Sequence, residues 1–259
     1  LLAPAGSKEA FIAAVESGAD AVYAGGNLFN ARINAHNFEL AEIEEAVHFA
    51  HKRNVKVYIT INVLIKDEEL LEALEYAKNL YEIGVDAIIV QDIGFANLVR
   101  KHLPGFELHM STQASVFDKD GVYQAMDLGF RRVVPARELS LAEIETLCKE
   151  TPCEIEVFCH GAICVCYSGQ CQMSRYIGGR SGNRGGCAQP CRLPYKSADR
   201  SGGTKETALL SPSDMSMIDH LDKLCEAGVR SLKIEGRMKS PEYVAVVTSI
   251  YRKYLDIYA

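Results

Sequence analysis

The chain has 259 residues, 48% of them hydrophobic, and a formal net charge of −6 at pH 7. It can bury a large core as one domain, and its acidic balance argues against a uniformly basic nucleic-acid-binding surface. Because it contains no run of eighteen apolar residues and no basic leader before an apolar stretch, we expect a soluble, cytoplasmic protein without a membrane span or membrane partner.

Short β-rich runs alternate along the chain with segments whose apolar residues recur every three or four positions. The predicted strands begin at Leu1, Asp20, Val55, Asp86, Glu107, Arg132, Cys153 and Ser231. This alternation predicts an α/β fold, a (β/α)8 TIM-like barrel, and no glycine-rich dinucleotide turn follows the first strand to suggest an open doubly wound sheet. We predict a single barrel domain over residues 1–259, with a cysteine-rich insertion at about 159–210, after the seventh strand. Because the chain lacks an initiator Met and ends in a helix-like segment, we also expect a missing C-terminal module.

Polar residues at period two predict which strand faces line the barrel interior. On the last strand, Lys233, Glu235 and Arg237 share one face. The same alternation turns inward Glu156 and His160 on the seventh strand, Ser111 and Gln113 on the fifth, and Tyr58, Thr60 and Asn62 on the third. Branched apolar side chains fill ordinary barrel interiors, so this polar set predicts a substrate pocket at the C-terminal face. Structural ion pairs, chiefly Lys233 with Glu235 or Glu156, are the alternative.

Two loops add further polar residues at that face. The loop GGNLFNARINAHNF contains Asn30 and Arg32, and the loop PARELS contains Arg137 and Glu138. The candidate substrate-binding residues are Asn30, Arg32, Asn62, Gln113, Arg137 and Glu138. The candidate catalytic residues are Glu156, His160, Lys233, Glu235 and Arg237. Carboxylates and imidazole move protons, and the guanidinium fork suits carboxylate ligands.

The stretch EVFCHGAICVCYSGQCQMSRYIGGRSGNRGGCAQPC holds six of the nine cysteines. Disulfides rank last because nothing signals secretion, and the close cysteine pairs typical of zinc sites are missing. The spacing of Cys164, Cys171, Cys187 and Cys191 suits an iron–sulfur cluster, whose ligand spacing is less constrained. Cys148, Cys153, Cys159 and Cys225 are expected to pack as small apolar side chains, and Cys166 stays open.

The same stretch is rich in arginine. Arg175, Arg180 and Arg184 lie in it and Arg192 follows directly after it, with Tyr176 between them. A basic loop with an interleaved aromatic residue is typical of an RNA contact, and equally of a solvated loop, so both readings stay open.

The combined motifs resemble those of the collagenase-like U32 peptidase family: LLAPAGSKEAFIAAVESGADAVYAGG, FNARINAHNF, STQAS, PAREL, EVFCHGAICVCYSGQCQMS, NRGGCAQPCRLPY and SLKIEGRMKS. The resemblance covers essentially the whole chain. It implies an iron–sulfur protein that installs hydroxyl groups on a wobble uridine of tRNA, on a cytidine of ribosomal RNA or, as a heterodimer, on a ubiquinone precursor.

LLSPSDM and SLKIEGRMKS resemble the tRNA branch most, which implies conversion of the wobble uridine to 5-hydroxyuridine. The resemblance further implies a 4Fe–4S cluster, tRNA as partner, prephenate as a small anionic cosubstrate linked to the oxygen source, and assembly with itself or a related family member. It assigns Cys164, Cys171 and Cys187 to the cluster. Some relatives supply a fourth cysteine where this chain has Ser216, so Cys191 is our candidate for the fourth ligand.

The family's traditional name implies a different activity, collagenase-like peptidase, which is the first alternative. The chain has no HExxH zinc motif and no G-x-S-x-G nucleophile elbow, which weakens this alternative. A cluster-bearing, non-catalytic subunit of a hydroxylase is the second alternative.

Overall fold

The computed structural model describes residues 1–32, 37–198 and 203–258. Its strands are β1 (Leu2–Ala5), β2 (Ala21–Gly25), β3 (Lys56–Ile61), β4 (Ala87–Val90), β5 (Glu107–Met110), β6 (Arg132–Val133), β7 (Glu154–Gly161), β8 (Tyr195–Ala198), β9 (Thr204–Thr207), β10 (Met215–Ser216) and β11 (Ser231–Ile234). Its helices are α1 (Lys8–Glu16), α2 (Leu40–His51), α3 (Leu70–Ile83), α4 (Ile93–His102), α5 (Lys119–Asp127), α6 (Leu141–Glu150), α7 (Met173–Gly178), α8 (Leu221–Glu226) and α9 (Pro241–Tyr258).

Within this described part of the chain, eight parallel strands close into a barrel. Strands β1 to β7 pair in sequence order, and β11 pairs with both β7 and β1 to close the ring, with Leu2 opposite Lys233. A helix packs outside between consecutive strands, so the predicted (β/α)8 barrel is confirmed.

Local sequence signals explain where the helices start and stop. The Ser7 side chain accepts a hydrogen bond from the Ala10 amide at the start of α1, and Ser140 caps α6 in a box with Glu143. Helix α3 ends at Gly84, whose φ of 91° is open to glycine but strained for other residues. Each helix therefore presents a defined apolar face to the barrel.

The core has two parts. The outward faces of the strands, with Val22, Ile59, Ile88, Leu108 and Ile155, pack against the helices. Inside the barrel, a smaller cluster formed by Leu2, Ala21, Tyr23, Tyr58, Ala87 and Ile89 fills one layer. The polar residues at the ends of β3, β5 and β11 lie nearer the C-terminal face of the barrel than this apolar cluster does. The barrel interior therefore combines this apolar cluster with the buried polar residues His109, Glu156 and Lys233.

A long segment joins β7 to β11. We call residues 162–198 and 203–214 the cysteine-rich connection; it contains α7, two short 3-10 helices (Gly182–Arg184 and Pro190–Arg192) and the β8–β9 hairpin. It is followed by β10, which pairs antiparallel with the end of β7, and by α8. Among the described residues we find no helix with the length and apolar character needed to cross a membrane.

Candidate active site

A cavity of about 140 Å³ lies at the C-terminal ends of the barrel strands. Many of the polar residues selected from the sequence line it together: Arg32, Thr60, Asn62, Ser111, Gln113, Arg137, Lys233, Glu235 and Arg237. Glu235 and Arg237 lie just beyond β11, and Gln113 just beyond β5, where loops replace strands. In a barrel enzyme, the residues at these strand ends are the ones that meet a substrate.

Glu235 is the carboxylate at the centre of this cavity. Its two oxygens lie 3.2 Å from Nη2 of Arg32 and 3.8 Å from Nη2 of Arg137. Burial would raise the pKa of Glu235, but the charges of Arg32, Arg137 and Arg237 outweigh burial and lower it. Glu235 is therefore ionised at neutral pH, and its single carboxylate pairs with two guanidinium groups.

Arg237 is a buried guanidinium without a carboxylate partner among the described residues. Its Nη1 donates to Thr60 Oγ1 at 3.0 Å, and only 6% of the residue is exposed. Burial lowers the pKa of Arg237 to about 10, so it stays charged at neutral pH. A buried charge with unused donors is costly unless a ligand meets it.

Arg137 has a single carboxylate partner among the described residues, Glu235, at 3.8 Å. Its guanidinium lies 4.1 Å from the ring centre of Phe158, and its buried Nε has no hydrogen-bond partner in the described part of the chain. Arg32 and Arg137 share Glu235, and Arg237 has no ion-pair partner in the described part of the chain, so the cavity carries an excess of positive charge. Carboxylate or phosphate groups are the ligands that such guanidinium groups bind best.

Lys233 and Glu156 form an ion pair of 3.0 Å deeper in the barrel. Glu156 also lies 3.2 Å from Arg132, which pairs with Glu154 at 2.7 Å. Burial alone would raise the pKa of Glu156, but Lys233 and Arg132 outweigh it and hold the pKa at about 2. For Lys233 and Glu156, the structure thus contains the structural ion pair that was the alternative to a catalytic role.

His160 does not face the barrel interior, so this part of the sequence prediction is wrong. Its Nδ1 lies 3.3 Å from Tyr251 Oη, and its ring packs beside Tyr243 on α9. The cause is a register irregularity: Lys233 pairs with Phe158, but Ile234 pairs with His160, which leaves Cys159 as an extra residue in β7. Such a bulge reverses the side-chain alternation beyond it.

Two further candidates, Asn30 and Glu138, are not among the residues that line the cavity. The Asn30 amide donates to the Gly26 carbonyl at 2.6 Å and accepts from the Arg32 amide at 2.8 Å, so it shapes the loop that carries Arg32. Glu138 accepts a hydrogen bond of 3.0 Å from the Ser168 amide. The same β2–α2 loop continues through residues 33–36, which lie outside the described residues.

Three cysteines line the cavity together with the polar residues: Cys164, Cys171 and Cys187. Cys191 lies close to these three cysteines. Its burial and the neighbouring thiols of Cys164, Cys187 and Cys171 raise its pKa. In the described ranges, no three His, Cys, Asp or Glu side chains converge tightly enough to hold a single metal ion. Iron–sulfur clusters are held by four cysteine thiolates, so Cys164, Cys171, Cys187 and Cys191 are the residues that would hold one here.

Other cysteines pack into the protein: Cys153 and Cys159 are buried, and Cys148 is half-buried. Cys159 is fully buried, and burial raises its pKa to about 12. Burial likewise raises the pKa of Cys148 and of Cys153 to about 11. Such thiols are poor nucleophiles and poor ligands at neutral pH, in agreement with the packing role expected for them.

The cysteine-rich connection is seated on the barrel loops by close backbone contact. Gly169 has a φ of 75°, and a Cβ there would lie 2.0 Å from the Gln113 carbonyl oxygen. Only glycine meets both conditions. Next to it, Ser115 Oγ donates to the Ser168 carbonyl, and the Ser168 amide donates to Glu138. These contacts bring the segment between Cys166 and Cys171 onto the rim of the cavity.

Two of the arginines predicted to contact RNA hold the connection instead. Arg184 forms a bidentate pair with Glu69, at 2.8 and 2.6 Å, and donates to the Leu64 carbonyl. Arg192 donates to the Ile163 and Pro212 carbonyls, both at 2.7 Å. By contrast, Arg175 and Arg180 are exposed. Arg184 and Arg192 are less available to a ligand than Arg175 and Arg180, because their guanidinium donors are used in tertiary hydrogen bonds.

The comparison with known families fits this arrangement. The sequence model described as peptidase family U32 matches residues 6–259. This chain is a member of peptidase family U32. The motifs that indicated the family lie around the cavity and along the connection, so the family signature coincides with the candidate site.

Curated U32 relatives have names of two kinds. The chain is 46% identical to the 23S rRNA 5-hydroxycytidine synthase of Escherichia coli over 99% of this chain and 39% of that protein. It is 42% identical to tRNA hydroxylation protein P1 of Bacillus subtilis over 100% of this chain and 63% of that protein. A collagenase of Porphyromonas gingivalis is 33% identical, over 100% of this chain and 66% of that protein. The chain thus spans less than two thirds of the length of the first two.

Solved structures support the barrel architecture. A structure described as a U32 peptidase matches with a TM-score of 0.53 and 17% identity, over 62% of this chain and 68% of that chain. KGPDC from Streptococcus mutans matches with a TM-score of 0.51 and 14% identity, over 99% of this chain and 97% of that chain. At these identities the likeness concerns the fold alone.

Two aromatic residues that line or support this cavity were not predicted from the sequence. Tyr23 lines it and donates 2.9 Å to the Ile234 carbonyl, and Phe158 supports the Arg137 guanidinium. Both were accessible to the period-two rule, because Tyr23 follows Ala21 on β2 and Phe158 follows Glu156 on β7. Both are aromatic, so the polar pattern of the strands does not single them out.

Proposed function

We propose that this chain is the catalytic barrel of an RNA hydroxylase that replaces a C–H bond of a pyrimidine ring by C–OH. The observation that carries the proposal is a cationic cavity at the catalytic face of the barrel that is also lined by three thiols. The names of the two relatives at 46% and 42% identity, both concerned with RNA hydroxylation, support it. Our specific assignment is the wobble uridine of tRNA, converted to 5-hydroxyuridine.

The size of the cavity suits one pyrimidine ring. Its volume of about 140 Å³ is close to that of an engineered cavity of about 150 Å³ that binds benzene. A base reaches such a pocket only after leaving its stack, and an anticodon loop offers unstacked bases at low cost. Asn62, Gln113 and Ser111 lie in the cavity with amide and hydroxyl groups that can bind the polar edge of a base.

The excess of positive charge supports a small anionic cosubstrate. Arg237 and Arg137 have donors left over, and guanidinium groups bind carboxylates with two parallel hydrogen bonds. Prephenate is the carboxylate that the family resemblance implies, and we assign it to these arginines. The insertion is a two-electron oxidation, in which an oxygen donor of the prephenate-linked class that the family resemblance implies would be reduced as it gives its oxygen atom to the ring carbon. The proton on that carbon leaves as the C–O bond forms, and Glu235, the single carboxylate among the described residues that line the cavity, is the group placed to accept it.

We assign a 4Fe–4S cluster to Cys164, Cys171, Cys187 and Cys191. A bound cluster supplies electron-transfer chemistry next to the cavity. Ser216, which stands where some relatives have a cysteine, is exposed on β10 opposite His160 and does not line the cavity. Cys191 does not line the cavity either, but it lies close enough to Cys164, Cys187 and Cys171 to feel their charges, which supports Cys191 as the fourth ligand.

The test is made in cells that lack the gene. The strain is complemented with the wild-type protein or with Arg237→Gln, and nucleosides from purified tRNA and from 23S rRNA are analysed separately by mass spectrometry. We expect 5-hydroxyuridine in tRNA only with the wild-type protein. Hydroxycytidine restored in rRNA alone would move the assignment to the other RNA. Unchanged hydroxylation in both RNAs in the deletion strain would refute the proposal.

Peptidase activity is the second candidate, because one relative is named collagenase. The histidines with side-chain partners contact Asp86, Glu107 and Tyr251, and a nucleophile-activating pair would need a Ser, Thr or Cys instead. Hydrolysis of collagen by the purified wild-type protein that disappears in Arg237→Gln would support this candidate. A third candidate, a non-catalytic cluster-bearing subunit, predicts a bound cluster without RNA modification.

A further inference from the structure

The cysteine-rich connection differs in charge from the rest of the chain. The whole chain has a net charge of −6, yet residues 161–198 contain no Asp or Glu, while they include four arginines and Lys196. An uninterrupted segment of one sign on an acidic protein creates a local positive field. That field surrounds the cavity, because the same segment supplies three of its cysteines.

The structure divides the four arginines into two pairs. Arg184 and Arg192 are held by Glu69 and by backbone carbonyls, and they fasten the connection. Arg175 and Arg180 are exposed, and among the described residues the Arg175 guanidinium donates only to the Gly179 carbonyl, at 3.2 Å. The field of the connection is therefore presented to solvent around α7.

Aromatic side chains accompany these exposed charges. Tyr176 on α7 is 85% exposed, the highest value among the large exposed hydrophobic residues. Two positions earlier, Ser174 is buried, lines the cavity and lies 3.8 Å from the Cys187 sulfur. Helix α7 thus joins the wall of the cavity on one side to an exposed tyrosine on the other. Packing within the described chain does not explain why a tyrosine occupies this exposed position.

A second exposed tyrosine lies at the opening of the cavity itself. Tyr167 lines the cavity and is 61% exposed, and the ring of Phe117 supports it in an edge-on contact at 5.9 Å. An aromatic ring that is fixed from one side and open on the other offers a flat surface for stacking. Every nucleobase has such a face, so stacking of this kind needs no particular sequence.

We propose that α7 and Tyr167 form a platform for single-stranded RNA, with bases stacked on Tyr176 and Tyr167 and phosphates held by Arg175 and Arg180. The inference rests on the proposed function and adds to it the surface that delivers the strand. Single-stranded RNA is the fitting partner because only unstacked bases expose their faces to a protein ring. The platform leads directly to a cavity that accepts one ring.

The experiment measures binding of the anaerobically purified full-length protein to a fluorescent anticodon stem-loop RNA at several salt concentrations. Tyr176→Ala should weaken binding roughly five- to hundredfold, whereas Tyr176→Phe should bind like wild type. Arg175→Gln combined with Arg180→Gln should lower the slope of log affinity against log salt by about 1.4, or about 0.7 for each lost phosphate contact. The matched controls are Tyr254→Ala and Lys253→Gln on α9, which should change neither quantity.

Each result of these measurements either supports or overturns the proposed RNA platform. Equal affinity of Tyr176→Ala and wild type, or a salt slope unchanged in the double arginine variant, overturns the platform, even if the wild-type protein hydroxylates RNA. Lost binding in these variants, together with wild-type binding that leads to no hydroxylation, keeps the platform and rejects the proposed reaction. Should Tyr176→Ala change the visible or circular dichroism spectrum, the double arginine variant provides the deciding measurement.

Discussion

The ammonium group of Lys233 and the carboxylate of Glu156 lie 3.0 Å apart inside the barrel, and their side chains are 5% and 0% exposed. Glu156 has a second cation, Arg132, at 3.2 Å, whereas Lys233 has no other ion-pair partner in the described part of the chain. The carboxylate therefore neutralises two buried cations. This asymmetry predicts different costs for removing the two partners.

Glu156→Gln should destabilise the protein by about 3–5 kcal/mol, because it leaves the buried Lys233 without an ion-pair partner and leaves Arg132 with Glu154 alone. Lys233→Met should cost less, because Arg132 still pairs with Glu156. The free energy of unfolding in urea at pH 7 measures both. Equal losses in the two variants would contradict the idea that Glu156 serves two cations.

The same pair predicts a dependence of stability on pH. The pKa of Glu156 is about 2 in the folded protein and about 4.3 in an unfolded chain. Above about pH 4.3 the carboxylate is ionised in both states and its contribution is complete; as the pH falls towards 2, the unfolded state binds the proton first and the contribution is lost. Unfolding measured from pH 7 to pH 3 should show the gap between wild type and Glu156→Gln narrowing only below about pH 4.3. A gap that is constant over this range would refute the assignment.

Arg137→Gln should raise the KM for the anionic cosubstrate roughly ten- to hundredfold, because it removes a charged hydrogen-bond donor worth about 1.5–3 kcal/mol. Stability should fall only modestly, because the variant loses the 3.8 Å ion pair with Glu235 and the contact with the Phe158 ring, while the buried Nε has no hydrogen-bond partner to lose. Arg131→Gln is the matched control, because Arg131 is 66% exposed, pairs with Glu154 and does not line the cavity. Steady-state kinetics and urea unfolding of both variants provide the check.

Cys164→Ala, Cys171→Ala and Cys187→Ala should each abolish or strongly reduce cluster binding, because these thiols line one cavity. Cys148→Ala should retain it, since Cys148 lies on α6 and burial raises its pKa to about 11. Iron and sulfide per chain and the visible spectrum, all under anaerobic conditions, measure the effect. Full iron content in the Cys164 variant would remove the cluster from this site.

Glu69→Gln should make the cluster easier to lose, because Glu69 anchors Arg184 and thereby the segment that carries Cys187. Glu68→Gln is the control, since the Glu68 side chain is 70% exposed and pairs only with Lys66. The rate at which the visible absorbance decays in the presence of an iron chelator compares the two. We expect faster decay in the Glu69 variant, and equal decay would show that the tether does not position the ligand.

Much of the fold follows from local sequence signals. The alternation of strand and helix predicted the barrel, and period two placed Tyr58, Thr60, Ser111 and Lys233 inside it, because a regular strand has only two faces. The rule failed at His160, where a bulge in β7 inserts one residue. A bulge depends on pairing with a neighbouring strand, so the sequence of β7 by itself does not reveal it.

The sequence by itself determined the family, the barrel, and the set of cations and cysteines that this chain brings to its catalytic face. Only the tertiary structure decided how those groups are used: Lys233 is neutralised by Glu156, Arg184 and Arg192 serve as fasteners, and Arg137 and Arg237 keep donors for a ligand. The physical reason is that a charged side chain is defined by its partners. Those partners lie on distant segments that only the folded chain brings within hydrogen-bond distance.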